Sequence, residues 1–164
     1  MVFGGQAVLL HGEFRVTRDI DITLGIEPAE AAPILALIAQ LGLQILASDV
    51  DSFVRQTLVL PVRDVETGIR IDFVFSFSQF ERDAIRRAVT TALDGVKVRF
   101  VSVEDLIVQK IVAGRPRDLA DAKTVVLSNP AFDCGYVERW LQQFDQELDT
   151  SFRLVLQDIL DKRG

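Results

Sequence analysis

The feature that most constrains this chain is a glycine pair, Gly4-Gly5, followed by the run Arg15-Val16-Thr17-Arg18-Asp19-Ile20-Asp21-Ile22. In a strand, residues i and i+2 point to the same face, about 6–7 Å apart. Read as a strand, this run puts Asp19 and Asp21 side by side. A third carboxylate, Asp72, lies on the polar face (Arg70, Asp72, Val74) of a second alternating run whose other face is Ile69, Ile71, Phe73 and Phe75. Like charges gathered in one cleft raise each other's pKa unless a cation neutralises them. Three carboxylates of this kind point to hard-metal ligation. Mg²⁺ takes oxygen ligands and works with a few carboxylates plus substrate phosphates. A glycine turn just before a helix lets backbone N–H groups approach a phosphate. The competing reading of Asp19-x-Asp21 is an ordinary solvated strand face.

Composition narrows the classes. A length of 164 residues fits one domain with a small helical appendage, and 49% hydrophobic content supports a packed core. A net charge of −6 argues against general DNA binding or nucleic-acid coating. Cys134 is the one cysteine and His11 the one histidine, which excludes an intramolecular disulfide and a His/Cys zinc cluster. No apolar run approaches the ~20 residues of a membrane span. No basic segment precedes a long apolar core, so no signal peptide is expected, and a cytoplasmic location is.

Along the chain, Met1 to Phe3 read as the tail of a strand, and Gln6 to His11 as a short helix closed by Gly12. Phe14 to Leu24 read as a strand, Glu27 to Leu41 as a helix, and Asp49 to Arg55 as a short helix or turn. Gln56 to Val62 is a strand that Pro61 pushes toward an edge. Asp64 to Gly68 is a turn, Ile69 to Phe75 a strand, and Phe80 to Leu93 a helix. Asp94-Gly95 turns into a strand over Val96 to Val101. Ser102 caps a helix running to about Ala113, with further helices over Asp118 to Ser128, Asp133 to Phe144, and Thr150 or Ser151 to Lys162. Strands and helices come first and helices alone follow, which predicts an α+β fold with a C-terminal helical cluster.

A second informative segment holds Lys110, Arg115, Arg117, Asp118 and Asp121. Cations at a helix end complement its dipole, and Arg–Asp surface pairs are ordinary. The functional reading is a triphosphate clamp, with Lys as a point charge and Arg as a fork. His11 reads as a packing residue. Arg82, Arg86 and Arg87 form a solvated face or a local RNA track. Trp140 and Phe144 read as core or an interface stripe. No P-loop pattern occurs.

Gly4-Gly5, Arg15-x-Thr17-x-Asp19-x-Asp21, Asp72, and the segment from Asp105 through Lys110 to Arg115-x-Arg117-Asp118-x-x-Asp121 together resemble the nucleotidyltransferase-fold proteins. The branch they are most similar to is the AbiEii-like abortive-infection toxins and their small relatives. The resemblance covers roughly residues 3 to 128. It implies a small mixed sheet flanked by helices, with a nucleotidyltransferase-like domain over 1–128 and a helical extension over 129–164. It implies Mg²⁺- or Mn²⁺-dependent transfer of a nucleoside monophosphate from an NTP to an acceptor, with release of pyrophosphate. Asp19, Asp21 and Asp72 would hold metal, and Asp72 would help activate the acceptor hydroxyl. Gly4 and Gly5 would contact the triphosphate, with Arg15, Thr17 and Arg115 also binding substrate. Lys110 would sit near the phosphates, and Asp118 or Asp121 would orient it or complete the site. Two departures stand out. Gln6 occupies the place where many relatives have serine, and only Met1, Val2 and Phe3 precede the glycine pair. The acceptor classes are tRNA, a protein or a small molecule, and the chain would be the toxin of a toxin–antitoxin pair with a cognate antitoxin. The alternative is a catalytically silent nucleotide-binding or protein-interaction module on the same fold.

Overall fold

The computed structural model describes residues 1–12, 17–76 and 78–162. The chain divides into two compact units, Met1–Gln6 with Val16–Phe100, and Ala7–Arg15 with Val101–Gly164.

The first unit is built on β1 (Val2–Phe3), β2 (Asp19–Leu24), β3 (Gln44–Ile45), β4 (Val59–Arg63), β5 (Arg70–Phe75), β6 (Val89–Leu93) and β7 (Val96–Phe100). They form one mixed sheet in the order β3-β4-β5-β2-β1-β7-β6. The helices of this unit are α2 (Ala32–Gln40), α3 (Val50–Thr57) and α4 (Gln79–Arg87), while α1 (Gly4–His11) begins in it. The predicted mixed sheet and helices are therefore present.

The alternation in β5 decides which side of the sheet is dry. Phe73 and Phe75 are buried with Leu60 and Val62 of β4, Ile38 of α2 and Val54 of α3, and Ile22, Leu24 and Ile71 pack against them. Each such side chain contributes about 1.5–3 kcal/mol when fully buried. Side chains alternate along a strand, so the intervening residues Asp19, Asp21, Arg70 and Asp72 occupy the opposite face. The short β1 is internal: Val2 pairs with Ile22 of β2 on one side and with Phe100 of β7 on the other.

Several predicted boundaries move, each for a local reason. α1 starts at Gly4 rather than Gln6. The strand expected over Phe14 to Leu24 is β2 from Asp19, and residues 13–16 lie outside the described residues. Glu27 to Leu41 splits into a 3-10 turn, Pro28–Glu30, and α2. α3 continues to Thr57 and ends at Leu58 in the left-handed region, so β4 starts at Val59. Pro61 sits in a strand one place in from the edge, and β3 covers only Val62 and Arg63 of it.

The largest change concerns Phe80 to Leu93. α4 is capped by a reciprocal Ser78–Glu81 box and stops at Arg87. Ala88 turns extended, and Val89–Leu93 pair with β7 through Asp94-Gly95, which have φ of 48° and 83°. Both turn residues have positive φ, the requirement of a type I′ two-residue hairpin, and Val-Thr-Thr favours a strand.

The second unit is helical: α5 (Val103–Ala113), α6 (Pro116–Ser128), α7 (Cys134–Leu148) and α8 (Phe152–Asp161). Ser102 caps α5 by accepting from the Asp105 amide, and Gly114, at φ 65°, ends it. Asp133 caps α7 by accepting from the Tyr136 amide. Leu106, Ile111, Val125, Val137, Leu141 and Leu156 are buried in this unit. Trp140 and Phe144 on α7 lie with ring centroids 6.3 Å apart. Among the described residues no helix is long and apolar enough to cross a membrane.

Phe75 is 1% exposed in the core of the first unit. Phe75→Ala is expected to destabilise folding by about 3–5 kcal/mol, read from urea unfolding by circular dichroism.

Candidate active site

The pairing of β2 with β5 builds the site. The two strands run parallel with Asp19 opposite Arg70 and Asp21 opposite Asp72. Opposed residues share a face, on strands about 4.8 Å apart. Asp19, Asp21 and Asp72 therefore stand on one face of the sheet, the face away from Phe73 and Phe75.

Each carboxylate has a partner. Thr17 Oγ1 donates to Asp19 Oδ1 at 2.9 Å. Arg70 Nε donates to Asp72 Oδ1 at 2.9 Å, and the Asp72 side chain is largely buried while that of Arg70 is half exposed. This hydrogen bond holds the Arg70 guanidinium above its ordinary range; partial burial opposes the shift, and the charges of Asp72, Asp19 and Asp21 add to it. Arg70 is the residue that motif reading passed over. Its signal was there: it lies two positions before Asp72 on the same strand face.

Asp21 packs against the glycine turn. A Cβ added to Gly4 would overlap the Asp21 carboxylate, falling 2.9 Å from its Cγ, and Gly4 has φ +62°. Only glycine meets both demands. Gly5, next in α1, is buried. Gln6 reaches the Asp19 carbonyl through Nε2 at 3.5 Å. Arg15 lies outside the described residues. Among the described residues no group of three or more His, Cys, Asp or Glu is gathered as a metal cluster. The donors on the aspartate face are carboxylate oxygens, which suit a hard divalent cation.

The remaining expected site residues form a network inside the second unit. Lys110, in the last turn of α5, donates through Nζ to Asp118 Oδ1 and to Asp121 Oδ2, each at 2.8 Å. All three residues are buried. Arg115 Nε donates to the other oxygen of Asp118 from an exposed side chain. Both aspartates thus orient the Lys110 ammonium. Nearby, the buried carboxylate of Asp105 accepts from Ser102 Oγ at 2.8 Å and from Tyr136 Oη at 2.7 Å, tying α5 to α7. His11 faces the Val101 carbonyl with Nε2 at 2.7 Å, a structural contact. Arg82, Arg86 and Arg87 are exposed on α4, and Arg86 pairs with Asp83 at 2.6 Å.

Two outcomes follow from this geometry. Gly4→Ala is expected to lower the melting temperature, and Asp21→Ser in the same chain to restore part of the loss by clearing the overlap. Lys110→Met strands two buried carboxylates and is expected to cost about 3–5 kcal/mol of unfolding free energy. The pH dependence has a definite sign. Burial pushes the Asp118 carboxyl up, but hydrogen bonds from Arg115 and Lys110, with their charges, outweigh it and hold it below the ordinary range. A depressed pKa stabilises the fold above the unfolded value and is lost as pH falls through the folded one. Stability should therefore fall below about pH 4, with a shallower acid slope in Asp118→Asn, read from urea midpoints across pH.

A search of curated proteins finds no match to this chain. Among solved structures, an antigenic nucleotidyltransferase-like protein from Paracoccidioides brasiliensis aligns with 98% of this chain and 83% of its own, at a TM-score of 0.54 and 15% identity. That likeness shows a shared fold. A family profile described as "Nucleotidyltransferase of unknown function (DUF6036)" matches residues 1–153, and the chain belongs to that family.

Proposed function

We propose that this protein transfers a nucleoside monophosphate from an NTP to an acceptor hydroxyl, releasing pyrophosphate. The observation that carries the reading is the register Asp21↔Asp72, with Asp19 two residues before Asp21 on the same face and Gly4 packed on Asp21. Family membership supports the reaction class.

Asp19, Asp21 and Asp72 would hold a divalent cation, Mg²⁺ or Mn²⁺. Such an ion, when bound, supplies charge neutralisation and Lewis-acid polarisation of the phosphates. The chain's own groups do the rest. N–H groups at the Gly4-Gly5 start of α1 face the phosphates. The acceptor oxygen bonds to the α-phosphorus as its proton passes to a carboxylate oxygen of Asp72. The α–β bridging bond breaks, and pyrophosphate leaves with that electron pair. Arg70 holds and aims the Asp72 carboxylate through its hydrogen bond. Thr17 fixes the Asp19 carboxylate in the same way.

The proposed centre is the one formed within the first unit. Lys110, Arg115, Asp118 and Asp121 make their own ion network in the second, and its contribution is read from stability. The acceptor is tRNA, a protein side chain or a small molecule. A toxin role, with a cognate antitoxin, is a further part of the proposal.

Labelled NTPs incubated with the protein, Mg²⁺ and cell extract should mark one acceptor. Asp19→Asn, Asp21→Asn and Asp72→Asn should each lower labelling about 10²-fold or more. The NTP-induced rise in melting temperature, about 2.7 kcal/mol of stabilisation at a hundredfold excess over Kd, should require metal and vanish in Asp21→Asn. Metal-independent NTP binding with no labelled acceptor would instead identify a silent nucleotide-binding module.

A further inference from the structure

The sheet of the first unit ends differently on its two sides. β3 closes one side with two residues, Gln44–Ile45. Very short edge strands offer few open backbone groups and resist further pairing. The other side ends on β6, Val89–Leu93, whose sequence is Val-Thr-Thr-Ala-Leu. This edge carries no charge, no proline and no glycine. Its register with β7 is unbroken from Val89↔Phe100 to Leu93↔Val96, so no bulge twists it away. Four of its five residues are exposed. Val89, Thr91 and Leu93 share a face with Phe100, Val98 and Val96 of β7. On that face Leu93 is 47% exposed and Val96 63%. Edges of soluble proteins are ordinarily protected by charges, proline or bulges; β6 has none of these among its own residues.

We infer that β6 is a dimerisation edge, pairing antiparallel with β6 of a second copy of this chain about a two-fold axis at Thr91. The sequence is self-complementary in that arrangement. Val89 meets Leu93 of the second copy, Thr90 meets Ala92, and Thr91 meets Thr91. Aliphatic and Thr–Thr pairs are favourable cross-strand neighbours. The flanks select the direction. Arg86 and Arg87 precede the strand and Asp94 follows it. Antiparallel pairing brings the basic end of each copy to the acidic end of the other, whereas parallel pairing sets like against like. Arg86 already pairs with Asp83 from an exposed side chain and Arg87 has an interaction of its own, so these charges select the direction of approach and need form no new pair. The nearest basic side chains inside the hairpin, Lys97 and Arg99, stand on β7, one strand away from the joint, and Arg99 is engaged by the Ile85 carbonyl. An isologous contact of this kind closes on itself and stops at two copies.

The test is the mass of the full chain in solution by light scattering coupled to size exclusion, from low to high micromolar concentration. The wild type is expected to reach twice its 18.3 kDa. Thr91→Lys, which sets two ammonium groups face to face on the axis, should run at the monomer mass with an unchanged circular dichroism spectrum. A second variant covers the case in which that chain fails to fold. In a Cys134→Ser background, Thr91→Cys should cross-link to itself on mild oxidation, because directly opposed Cα atoms stand about 4.5–5.5 Å apart. Thr90→Cys, opposite Ala92 rather than itself, should not. A wild type that stays monomeric throughout the range overturns the proposal. So does a folded Thr91→Lys chain that still dimerises, or a dimer in which Thr91→Cys never cross-links.

Discussion

β2 and β5 run side by side in parallel for six residues each, and their register cannot slip by one without turning the first unit inside out. At the present register Ile22 lies beside Phe73 and Leu24 beside Phe75, and both pairs face the core. The same register leaves Asp21 beside Asp72 on the opposite face. The aspartate face is therefore a consequence of core packing. The hydrophobic side supplies the energy that holds like charges near one another, and Arg70 moderates the repulsion.

Much of this was legible because the signals were local and strong. The alternation in Ile69–Phe75 reads directly as a two-sided strand, and the Ser102, Gly114 and Asp133 stops read directly as helix ends. The convergence of Asp19 and Asp21 follows from strand period alone. Bringing Asp72 to them required a pairing partner and a direction, which periodicity does not contain. β6 was misread because Phe80, Ala84 and Ile85 recur at helical spacing and no glycine or proline marks a stop after Arg87. The β-branched Val89-Thr90-Thr91, followed by Asp-Gly, was the better guide. β3 is too short, at two residues, for any period to show. Arg70 escaped because a cation beside an acid reads as surface decoration until the strand places it over three carboxylates.

The two charge clusters obey different electrostatics. In the second unit, Lys110 pairs with Asp118 and Asp121 and Arg115 with Asp118, and Lys110 and both aspartates are buried. A buried ion network of this kind is costly to break and joins α5 to α6 across the bend at Gly114. On the aspartate face, Asp19 is exposed, Asp21 is partly buried, the Asp72 side chain is largely buried, and Arg70 keeps half its side chain in solvent. Charges left partly in water can change partners at modest cost. That contrast supports seeking chemistry on the aspartate face and structure in the lysine network.

Gly4 changes the weight given to the glycine pair. Its positive φ and the approach of Asp21 account fully for glycine at that position, without any ligand. A glycine pair ahead of a helix is thus no independent sign of phosphate binding in this chain. What Gly4 does report is how tightly β1 runs into α1 beside Asp21. The two-residue strand must turn at once, and the carboxylate fills the space a side chain would take. Gly4 is therefore tied to the same Asp21 that the β2–β5 register sets beside Asp72. Any group that binds the aspartate face meets the start of α1 as a fixed wall, with its orientation set by a backbone angle open to glycine and strained for other residues.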